Sequence, residues 1–374
     1  MSSFIHGATQ TLRRRLSTLL AETHACLDEA AVQERALAPW TGTLRRLMAA
    51  RTVAASTAIE GFTASQHDTV RLLEGQSPDA VPAETEDAIL DYQRAMDRVA
   101  GLAADPEFEW RSSLFRDLHF LVTAGSTDST PGRWREEEVH IRRGAGGIPY
   151  EPPPASQVPT LMKTAAEYQA RSDDDPIVRA AMLHLHIAAV HPFADGNGRT
   201  ARVLQSLVLA RARLLPLDVC SIESHLAART GEYYAALRST NGVHRLGGPE
   251  FYDPGRSAEP WLEFCLHAHV ASARALLGEM RQAEQRAAFC LQLVRTRDLP
   301  DRLAHVIDQA LVDLPLSNES HRQRQNVSMP TATQDLRRLV DLGWLRRIGA
   351  GRSTRYAASA RLHAMWARAE AKRR

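Results

Sequence analysis

Apolar residues recur at three- and four-residue spacing along most of the chain, which is the period of an amphipathic helix. Segments 12–27 and 44–58 show this pattern, with charged residues between the apolar ones. Segment 85–99 has acidic residues first and basic residues late, as the helix dipole favours. Segment 172–190, SDDDPIVRAAMLHLHIAAV, begins with Ser and Asp caps and is then apolar on nearly every face. The pattern predicts a mainly helical protein with this last helix buried in the middle of its domain.

Two stretches interrupt the helical pattern. Gly, Pro and Ser are concentrated in 123–154, where Val139 and Ile141 alternate around His140. This alternation predicts a short β-hairpin at the surface. The second stretch, 245–260, has the sequence RLGGPEFYDPGRSAEP and is predicted to be a loop.

Residues 302–358 have the pattern of a separate unit. RLAHVIDQALVDL predicts one amphipathic helix, and TATQDLRRLVDLGWL predicts another that ends at Gly343. RRIGAGRSTRYAA then predicts a strand, a glycine turn and a second strand. Helices followed by a basic hairpin are typical of a winged helix, which is a variant of the helix-turn-helix.

Charge separates this unit from the rest of the chain. The 374 residues carry a net charge of only +2, but 291–374 contains 16 Lys and Arg against 8 Asp and Glu. That segment therefore carries +8 and the remainder −6, which indicates a basic unit joined to a mildly acidic body. We expect an N-terminal helical region over 1–105, a core over 106–290, and a winged-helix domain over 291–374.

Composition excludes several classes of protein. Hydrophobic residues make up 44% and charged residues 24% of the chain, as in ordinary globular proteins. No apolar run reaches the length of about 18 residues that a membrane span needs, and the N-terminus lacks a secretory signal pattern. The four cysteines form no CxxC pair; they are Cys26, Cys220, Cys265 and Cys290. We expect a protein of the reducing cytoplasm with no membrane partner.

The segment HPFADGNGRTAR, residues 191–202, connects the apolar helix to a second predicted helix. Bare backbone at Gly196 and Gly198 lets main-chain N–H groups converge on an anion. The positive end of the second helix, which starts at about Gly198, points to the same place. Arg199 and Arg202 lie on one face of that helix, and their guanidinium groups suit the oxygens of a di- or triphosphate.

Two further residues of this segment add chemistry. Asp195 is the hard oxygen ligand that Mg²⁺ accepts alongside substrate phosphates. His191 has an unperturbed pKa of roughly 6.5, which suits proton abstraction near neutral pH. Together the segment predicts phosphoryl or nucleotidyl transfer from a nucleoside triphosphate.

Other interpretations of the segment remain open. It is no Walker A loop, because the pattern GxxxxGK[ST] is absent and helices flank it on both sides. A metal cluster could use His184, His186, His191 and Asp195, but the first two lie two positions apart on a helix and face different ways. A capped turn with polar residues present by chance is the third interpretation.

The segment HPFADGNGRTAR resembles the HPFx[D/E]GNGRxxR signature of the Fic family (Fic/DOC proteins), and it agrees at every fixed position. The resemblance extends from about residue 50 to 270. It implies an all-α Fic fold with one small β-hairpin, called the flap. It also implies transfer of AMP from ATP to a hydroxyl group of a target protein, with Mg²⁺ required and pyrophosphate leaving.

The resemblance gives each position of the segment a role. His191 corresponds to the base that deprotonates the target hydroxyl, Asp195 to the magnesium ligand, and Phe193 to a buried aromatic residue that fixes the loop. The residues assigned to the nucleotide phosphates are Gly196, Asn197 and Gly198 as the anion hole, with Arg199 and Arg202 on the β- and γ-phosphates.

Two other stretches are similar to parts of the family. GRWREEEVHIRRG is similar to the flap, which implies that Val139 and Ile141 hold a target segment added as a strand; an ordinary surface hairpin is the alternative. In GEYYAALRSTN, the residues Tyr233, Tyr234 and Asn241 match the spacing of family residues near the adenosine. Tyrosines at helical positions are also common in protein cores.

The segment STAIEGF, residues 56–62, resembles the family's inhibitory motif [S/T]xxxE[G/N]. Ser56 and Glu60 occupy its fixed positions, on a predicted inhibitory helix over about 45–61 that ends at Gly61. The resemblance implies that Glu60 pairs with Arg202 and takes that arginine from the γ-phosphate. In the alternatives, Glu60 faces solvent, or it positions a water so that the enzyme also removes AMP.

The sequence leaves two classes of function. The first is an autoinhibited adenylyltransferase acting on a Ser, Thr or Tyr hydroxyl of a target protein or of itself. The second is a DNA-binding transcriptional regulator whose nucleotide site senses rather than catalyses. The C-terminal unit resembles winged-helix domains of bacterial Fic proteins, and its arginines would meet DNA; they are Arg337, Arg338, Arg346, Arg347, Arg352 and Arg355. A protein-docking or homodimer-forming module is the alternative for this unit.

Overall fold

Helices make up most of the part of the chain that this computed structural model describes, which is residues 10–126, 130–141, 150–214, 222–240, 258–351 and 354–372. The helices before the central loop are α1 (Gln10–Ala36), α2 (Thr41–Ile59), α3 (Gln66–Leu73), α4 (Ala83–Ala104), α5 (Ser112–Val122), α6 (Val158–Arg171) and α7 (Pro176–Val190). The helices after it are α8 (Asn197–Arg211), α9 (Glu223–Ala228), α10 (Thr230–Thr240), α11 (Glu259–Arg295), α12 (Arg302–Leu311), α13 (Asn318–Gln325), α14 (Met329–Asp341) and α15 (Ala360–Ala371). Strands β1 (Leu345–Ile348) and β2 (Arg355–Ala358) form an antiparallel sheet near the C-terminus. The predicted helical fold class is confirmed.

The three helices predicted over 12–27, 44–58 and 85–99 are present, and each extends beyond its predicted limits. Segment 12–27 lies in α1, 44–58 in α2 and 85–99 in α4. Helix α1 continues to Ala36 because its later turns also bury apolar residues, such as Ala30, in a cluster with residues of α11. Tertiary packing thus sets the helix ends, which local pattern does not specify.

Helix α7 lies in the centre of the core, as its sequence predicts. Nearly all of its residues from Ile177 to Val190 are buried. It packs against α8, and α4, α5 and α11 contact the same pair of helices. The turn between α7 and α8 is therefore held from both sides by fully buried helices, which makes it a rigid place to present side chains.

Helix α2 ends next to this turn. Gly61, with φ +94°, follows its last residues, and its N–H donates to the carbonyl of Ala58. The N–H of Phe62 donates to the carbonyl of Thr57 at 3.1 Å. This helix end with a glycine in the left-handed conformation is the one predicted from the sequence, and it fixes the direction in which Glu60 leaves the helix.

Residues 302–371 form a C-terminal unit of α12, α13, α14, β1, β2 and α15. Its core is centred on Trp344 and also includes Phe289 and Cys290 of α11. Helix α11 passes without interruption through the predicted boundary at 290/291 and connects this unit to the rest of the chain. The predicted helices and the two predicted strands of the unit are present.

The C-terminal unit also touches α2 and α3. The ring of Trp40 stacks on that of His305, with 4.0 Å between centroids. Arg324 Nη2 donates to Glu74 Oε1 at 2.7 Å, and Arg46 Nε lies 3.9 Å from the same carboxylate oxygen. The helix that ends at Glu60 is therefore held at its other end by the C-terminal unit.

The predicted flap hairpin consists of one antiparallel bridge in the described residues. Ile141 and Tyr150 exchange both backbone hydrogen bonds, at 2.9 and 3.0 Å. Residues 142–149, like most of the loop predicted over 245–260, lie outside the described residues. None of the described helices is both long and apolar enough to cross a bilayer.

A buried ion pair fastens the C-terminal unit to α11. Arg286 Nε donates to Asp308 Oδ1 at 2.6 Å, and both side chains are buried. We expect Asp308→Ala to lower the free energy of unfolding by about 3–5 kcal/mol, because it leaves a buried guanidinium unpaired. Urea unfolding followed by circular dichroism measures this. Asp301→Ala is the matched control, since it removes the exposed partner of Arg295 and should have little effect; equal effects of the two variants would contradict the prediction.

Candidate active site

The turn between α7 and α8 is built from two left-handed residues. His191 caps α7 with φ +50° and ψ +58°, and its N–H donates to the carbonyl of Ile187. Gly196 precedes α8 with φ +72°, and a Cβ there would lie 2.5 Å from Thr123 Cγ2. Only glycine meets both demands, the positive φ and the close approach. The glycine that the sequence predicts as part of an anion hole is thus also required by the shape of the turn.

Side chains close the turn on itself. The N–H of Phe193 donates to Asn197 Oδ1 at 3.0 Å, and Asn197 Nδ2 donates to the Phe193 carbonyl at 2.9 Å. The Phe193 ring is buried and stacks on His119, with 3.6 Å between centroids. The side chain of Asn197 therefore holds the loop, and only its backbone remains for a bound anion. The buried position of Phe193 agrees with the role that the resemblance implies.

His119 fixes the turn from α5. The N–H of Gly132 donates to His119 Nδ1 at 2.9 Å, so Nε2 carries the proton and donates to the carbonyl of Asp195 at 2.9 Å. Burial lowers the pKa of His119 to about 4, which keeps this neutral tautomer in place at neutral pH. The His119 ring thereby connects Gly132, at the start of the predicted flap, to Asp195 in the turn.

Arg135 forms a second tie between the flap and the turn. Its guanidinium donates to the carbonyls of His191, at 2.8 Å, and of Glu137 and Pro153. Its own N–H donates to the carbonyl of Pro192 at 2.9 Å. The hydroxyl of Tyr150 donates to the Ala189 carbonyl at 2.9 Å. These bonds satisfy carbonyls at the end of α7 and fix the flap over the turn.

The imidazole of His191 is neutral at physiological pH. Burial lowers its pKa to about 4; the nearby Arg135 cation acts in the same direction, while a hydrogen bond to the backbone of Ala188 and the charges of Asp195 and Glu60 oppose the shift. A neutral ring has a lone pair that can accept a proton. The side chain is thus in the state that a general base requires.

Arg199 lies in the first turn of α8 and is almost completely buried. Its Nη1 donates to the carbonyl of Val122 at 2.9 Å, and its Nη2 lies 3.3 Å from Asp195 Oδ2. The guanidinium also covers the ring of Phe62, at 5.4 Å from the centroid. Arg199 Nε has no hydrogen-bond partner among the described residues. A buried cation with an unused donor is suited to an incoming anion.

Arg202, one turn further along α8, is bound by the end of α2. Its Nε donates to Ser56 Oγ at 2.7 Å, and its Nη2 donates to the Ser56 carbonyl at 3.0 Å and to Glu60 Oε1 at 2.8 Å. Burial alone would lower the pKa of Arg202, but the Glu60 carboxylate, together with Tyr233 and Tyr92, more than offsets this, and the pKa is raised. Ser56, Glu60 and Arg202, predicted as one group, are therefore in direct contact.

Gly198 is where Glu60 approaches α8 most closely. A Cβ at Gly198 would lie 2.3 Å from Glu60 Oε1 and 3.2 Å from Arg202 Nη1. The carboxylate thus lies against bare backbone in the first turn of a helix, where the dipole and the free N–H groups attract anions. Glu60 occupies the position that the sequence predicts for a phosphate group.

Asp195 has the geometry of a single metal ligand. Its side chain is 60% exposed at the rim of the turn, while its backbone carbonyl is held by His119. Among the residues that the structure describes, no group of three or more His, Cys, Asp and Glu could hold a metal ion. One exposed carboxylate beside a phosphate site fits Mg²⁺, which keeps several waters and shares substrate phosphates.

The histidines of α7 do not form a metal cluster. His184 Nδ1 donates to Gln205 Oε1 at 2.7 Å, and its Nε2 accepts from the Tyr233 hydroxyl at 3.1 Å. His186 contacts the carbonyl of Leu161 on the other side of the helix. Both are buried, hydrogen-bonded core residues, as the spacing of two residues on a helix predicts.

The two described tyrosines that are predicted to lie near an adenosine differ in how far they are buried. Tyr233 is buried beside Arg202, and its hydroxyl is used by His184. Tyr234 is 36% exposed and reaches the surface next to it, with 4.9 Å between the two rings. Asn241 lies outside the described residues. On the flap, Val139 and Ile141 are half-buried, and Ile141 forms the bridge to Tyr150.

Sequence reasoning missed three residues of the site, which are His119, Arg135 and Phe62. Arg135 stands in the GRWREEEVHIRRG segment but resembles any other arginine of that basic and acidic run. His119 occupies an ordinary inward position of an amphipathic helix. Phe62 directly follows the predicted inhibitory motif. The helical period of α5 indicates that His119 faces the core, but no nearby sequence feature identifies the residues that it contacts.

Comparison with known proteins finds similarity in the region that contains the 191–202 turn. Residues 109–209 match the Fic/DOC family. The protein adenylyltransferase fic-1 of Caenorhabditis elegans is 31% identical over 128 residues, which are 33% of this chain and 23% of that protein. Protein adenylyltransferase Fic of Culex quinquefasciatus is 28% identical over 188 residues, which are 50% of this chain and 36% of that protein. The chain thus spans only about a quarter to a third of the length of these relatives.

Solved structures show the same fold over more of the chain. A Fic family protein from Desulfovibrio desulfuricans G20 superposes with a TM-score of 0.59 at 25% identity, covering 92% of this chain and 96% of that one. Fic-1 (residues 134–508) from Caenorhabditis elegans gives a TM-score of 0.54 at 24% identity, covering 72% of this chain and 74% of that one. The likeness confirms a mostly helical Fic fold.

The depressed pKa of His191 can be measured directly. We expect its imidazole to stay neutral at pH 6 and to titrate near pH 4, because burial disfavours the charged ring. Nuclear magnetic resonance of ¹³C-histidine-labelled protein between pH 7 and the onset of acid unfolding gives the titration, and the spectrum of His191→Ala assigns the signal. A midpoint near 6.5 would show that the ring is solvated and would contradict the burial argument.

Proposed function

We propose that this chain, which carries a Fic domain homologous to the protein adenylyltransferases, transfers AMP from ATP to a hydroxyl group of a target protein or of itself. The observation that carries the proposal is the turn at 191–202. There a neutral imidazole, a helix start with bare backbone, and two buried arginines lie within twelve consecutive residues. Each is a separate requirement of nucleotidyl transfer.

In this proposal His191 accepts the proton of the target hydroxyl. The hydroxyl oxygen attacks the α-phosphorus, the bond from that phosphorus to the bridging oxygen breaks, and pyrophosphate leaves. Arg199 and Arg202 bind the β- and γ-phosphates, since their guanidinium groups lie on one face at the start of α8. Bound Mg²⁺, held by Asp195, would neutralise phosphate charge. The target segment docks beside Val139 and Ile141 of the flap, where strand addition gives backbone hydrogen bonds.

The proposed enzyme is autoinhibited by Glu60. Its carboxylate is bound to Arg202 and lies against Gly198, so the γ-phosphate has neither its arginine nor its place at the helix start. ATP that binds in spite of this has its α-phosphate misplaced for attack, and a displacement of about 1 Å costs on the order of 10²-fold in rate. The inhibitory residue is part of the same chain, so inhibition is intramolecular.

The central test compares covalent labelling of the protein by ATP. We expect Glu60→Gly to raise AMP transfer, to itself or to added target, by about 10²-fold over the parent, because Arg202 becomes available to the phosphates. Mass spectrometry of protein incubated with Mg²⁺ and mixed nucleotides measures the mass of the added group and identifies the nucleotide.

The matched control is the double variant Glu60→Gly/His191→Ala. It should lose transfer while retaining ATP binding in calorimetry, because the imidazole contributes to proton transfer and not to phosphate binding. Glu60→Gly no more active than the parent would refute the inhibitory role. Transfer retained by the double variant would refute the base. Tight ATP binding without any covalent label would favour a site that senses the nucleotide.

DNA binding by the C-terminal unit is a second function that we propose, with the unit acting as a winged helix. Arg337 and Arg338 are exposed on α14, and Arg346 and Arg347 are exposed on β1. Exposed arginines on a helix and on the adjacent hairpin are the charge pattern of a winged helix that meets DNA phosphates. Arg355 is half-buried in a cleft that also includes Glu74, and Arg352 lies outside the described residues.

Salt dependence tests this second function. If these four arginines neutralise phosphates, the logarithm of the binding constant should fall with the logarithm of salt concentration with a slope of about −4. Fluorescence anisotropy with a labelled duplex of mixed sequence, between 50 and 200 mM salt, measures the slope. Arg337→Ala/Arg338→Ala should reduce it, whereas the control Arg229→Ala/Arg274→Ala removes equal charge from the body. No binding at 50 mM salt, or equal loss in both variants, would contradict DNA binding.

A further inference from the structure

The last residues of α2 and the residue that follows them contact both arginines of α8. Glu60 Oε1 accepts from Arg202 Nη2 at 2.8 Å. Two residues further on, the guanidinium of Arg199 lies over the ring of Phe62, with 5.4 Å between Arg199 Cζ and the ring centroid. The proposed inhibition accounts for the first contact only. The second contact places an aromatic ring against an arginine that the proposed function assigns to the phosphates.

The backbone at the end of α2 fixes the place of Phe62. The N–H of Gly61 donates to the Ala58 carbonyl at 3.0 Å, and the N–H of Phe62 donates to the Thr57 carbonyl at 3.1 Å. This pair of bonds is the Schellman motif, in which the residue at the place of Phe62 commonly packs on an apolar side chain in the last turns of the same helix. The residues at those helix positions are Ser56 and Thr57. The helix therefore offers the ring little apolar surface of its own.

Burial in the protein core does not account for the ring either. Phe62 is half-buried and belongs to none of the apolar clusters that the described residues form, whereas Ile59 and Ala64 pack against such clusters. The ring instead contacts the buried guanidinium of Arg199. A cation is attracted to the face of an aromatic ring, and more strongly where water is excluded. The ring thus offsets part of the cost of burying this charge.

The contact with the ring leaves hydrogen-bond donors of Arg199 available. A guanidinium carries several N–H donors, and attraction to an aromatic face uses none of them. Nη1 donates to the Val122 carbonyl at 2.9 Å and Nη2 lies 3.3 Å from Asp195 Oδ2, while Nε has no hydrogen-bond partner among the described residues. Phe62 therefore holds the cation by a contact that an incoming phosphate does not have to displace.

The carboxylate of Glu60 and the ring of Phe62 are held independently of each other. The backbone bonds that place Phe62 do not involve the side chain of Glu60. When that side chain turns away or is removed, the end of α2 still holds the ring next to Arg199. The same helix end thus carries one group that occupies Arg202 and another that supports Arg199.

We propose that Phe62 is a positioning residue, which holds the guanidinium of Arg199 at the start of α8 for the phosphates of the nucleotide. The contact itself rests on the geometry of the helix end. Its use in nucleotide binding rests on the proposed function, in which Arg199 binds a phosphate group. In this proposal the end of α2 is part of the nucleotide site as well as its inhibitor.

Binding of ATP in the absence of transfer tests the proposal. The background is Glu60→Gly/His191→Ala, which lacks both the inhibitory carboxylate and the proposed base. We expect Phe62→Leu in this background to raise the Kd for ATP about fivefold, because leucine keeps apolar bulk at the position but has no aromatic face. Isothermal titration calorimetry of the full chain with ATP and Mg²⁺ measures the Kd.

Two further variants serve as controls. Phe62→Tyr retains the aromatic face and should bind ATP as the background does. Phe108→Leu is the matched control, because the guanidinium of Arg211 lies over the Phe108 ring, with Cζ 4.5 Å from the centroid, at the other end of α8. This variant should leave the Kd unchanged.

A thermodynamic cycle tests the contact between the ring and Arg199 without any ligand. Thermal unfolding is measured for the parent, Phe62→Leu, Arg199→Met and the double variant. We expect the double variant to lose less Tm than the two single losses combined, because either substitution alone already removes the contact. Additive losses would show that the two side chains do not interact, and would overturn the proposal.

Kinetics of transfer provides a readout that a purely structural role would not change. In the Glu60→Gly background, Phe62→Leu should raise KM for ATP about fivefold with little change in kcat, because Arg199 binds phosphate both before and during the reaction. A loss of folded protein would instead lower the apparent kcat and leave KM unchanged.

The outcomes separate this proposal from the proposed function. An unchanged or lower Kd for Phe62→Leu, or an equal increase for Phe108→Leu, would overturn the positioning role, and a lower Kd would mean that the ring obstructs the phosphates. If Phe62→Leu does not fold, Phe62→Met takes its place in each measurement. A background that binds no ATP overturns both proposals. If Glu60→Gly transfers no AMP although the background binds ATP, the proposed transfer fails, and the comparison of Kd values still decides the role of Phe62.

Discussion

The buried guanidinium of Arg202 is the feature on which the rest of the site depends. A permanent positive charge with 1% of its surface exposed has to be neutralised, and the groups around it are organised to do so. Glu60 and Ser56 reach it from α2, Tyr233 lies beside it from α10, and α8 carries it. Any anion that binds at the start of α8 must take over bonds that these groups now make.

The geometry of the turn is set independently of that charge. His119, Arg135 and Asn197 use neutral or backbone-directed hydrogen bonds to hold the loop from 191 to 197. These bonds leave the His191 ring and the Gly198 backbone unobstructed by the groups that support them. The residues that fix the shape of the turn are thus different from Arg202, which carries the charge. The turn can therefore keep its shape when Arg202 exchanges one anionic partner for another.

Much of the site was predictable because it is local in sequence. The turn and the helices on either side lie within one continuous stretch, and Ser56, Glu60 and Gly61 follow the period and the end of a single helix. The partners of Arg135, His119 and Glu223 are 56, 76 and 131 residues away along the chain. No periodicity or spacing specifies contacts of that range, which arise only when α4, α5, α7 and α9 pack together. For the same reason α1 extends beyond its predicted limits, and α11 continues through the predicted domain boundary at 290/291.

The missing side chain at residue 198 has a consequence for the autoinhibition that we propose. Its bare backbone admits the Glu60 carboxylate so closely that no second anion fits in the same place. A carboxylate carried on α2 is a tethered competitor, and its effective concentration is fixed by the packing of that helix rather than by the medium. A free anion that competes for this place therefore displaces Glu60 only through its own concentration, because the effective concentration of the tethered carboxylate stays constant. In the proposed autoinhibition, control of the site depends on whatever alters the position of α2, and this helix is held at its far end by Arg324 and Trp40.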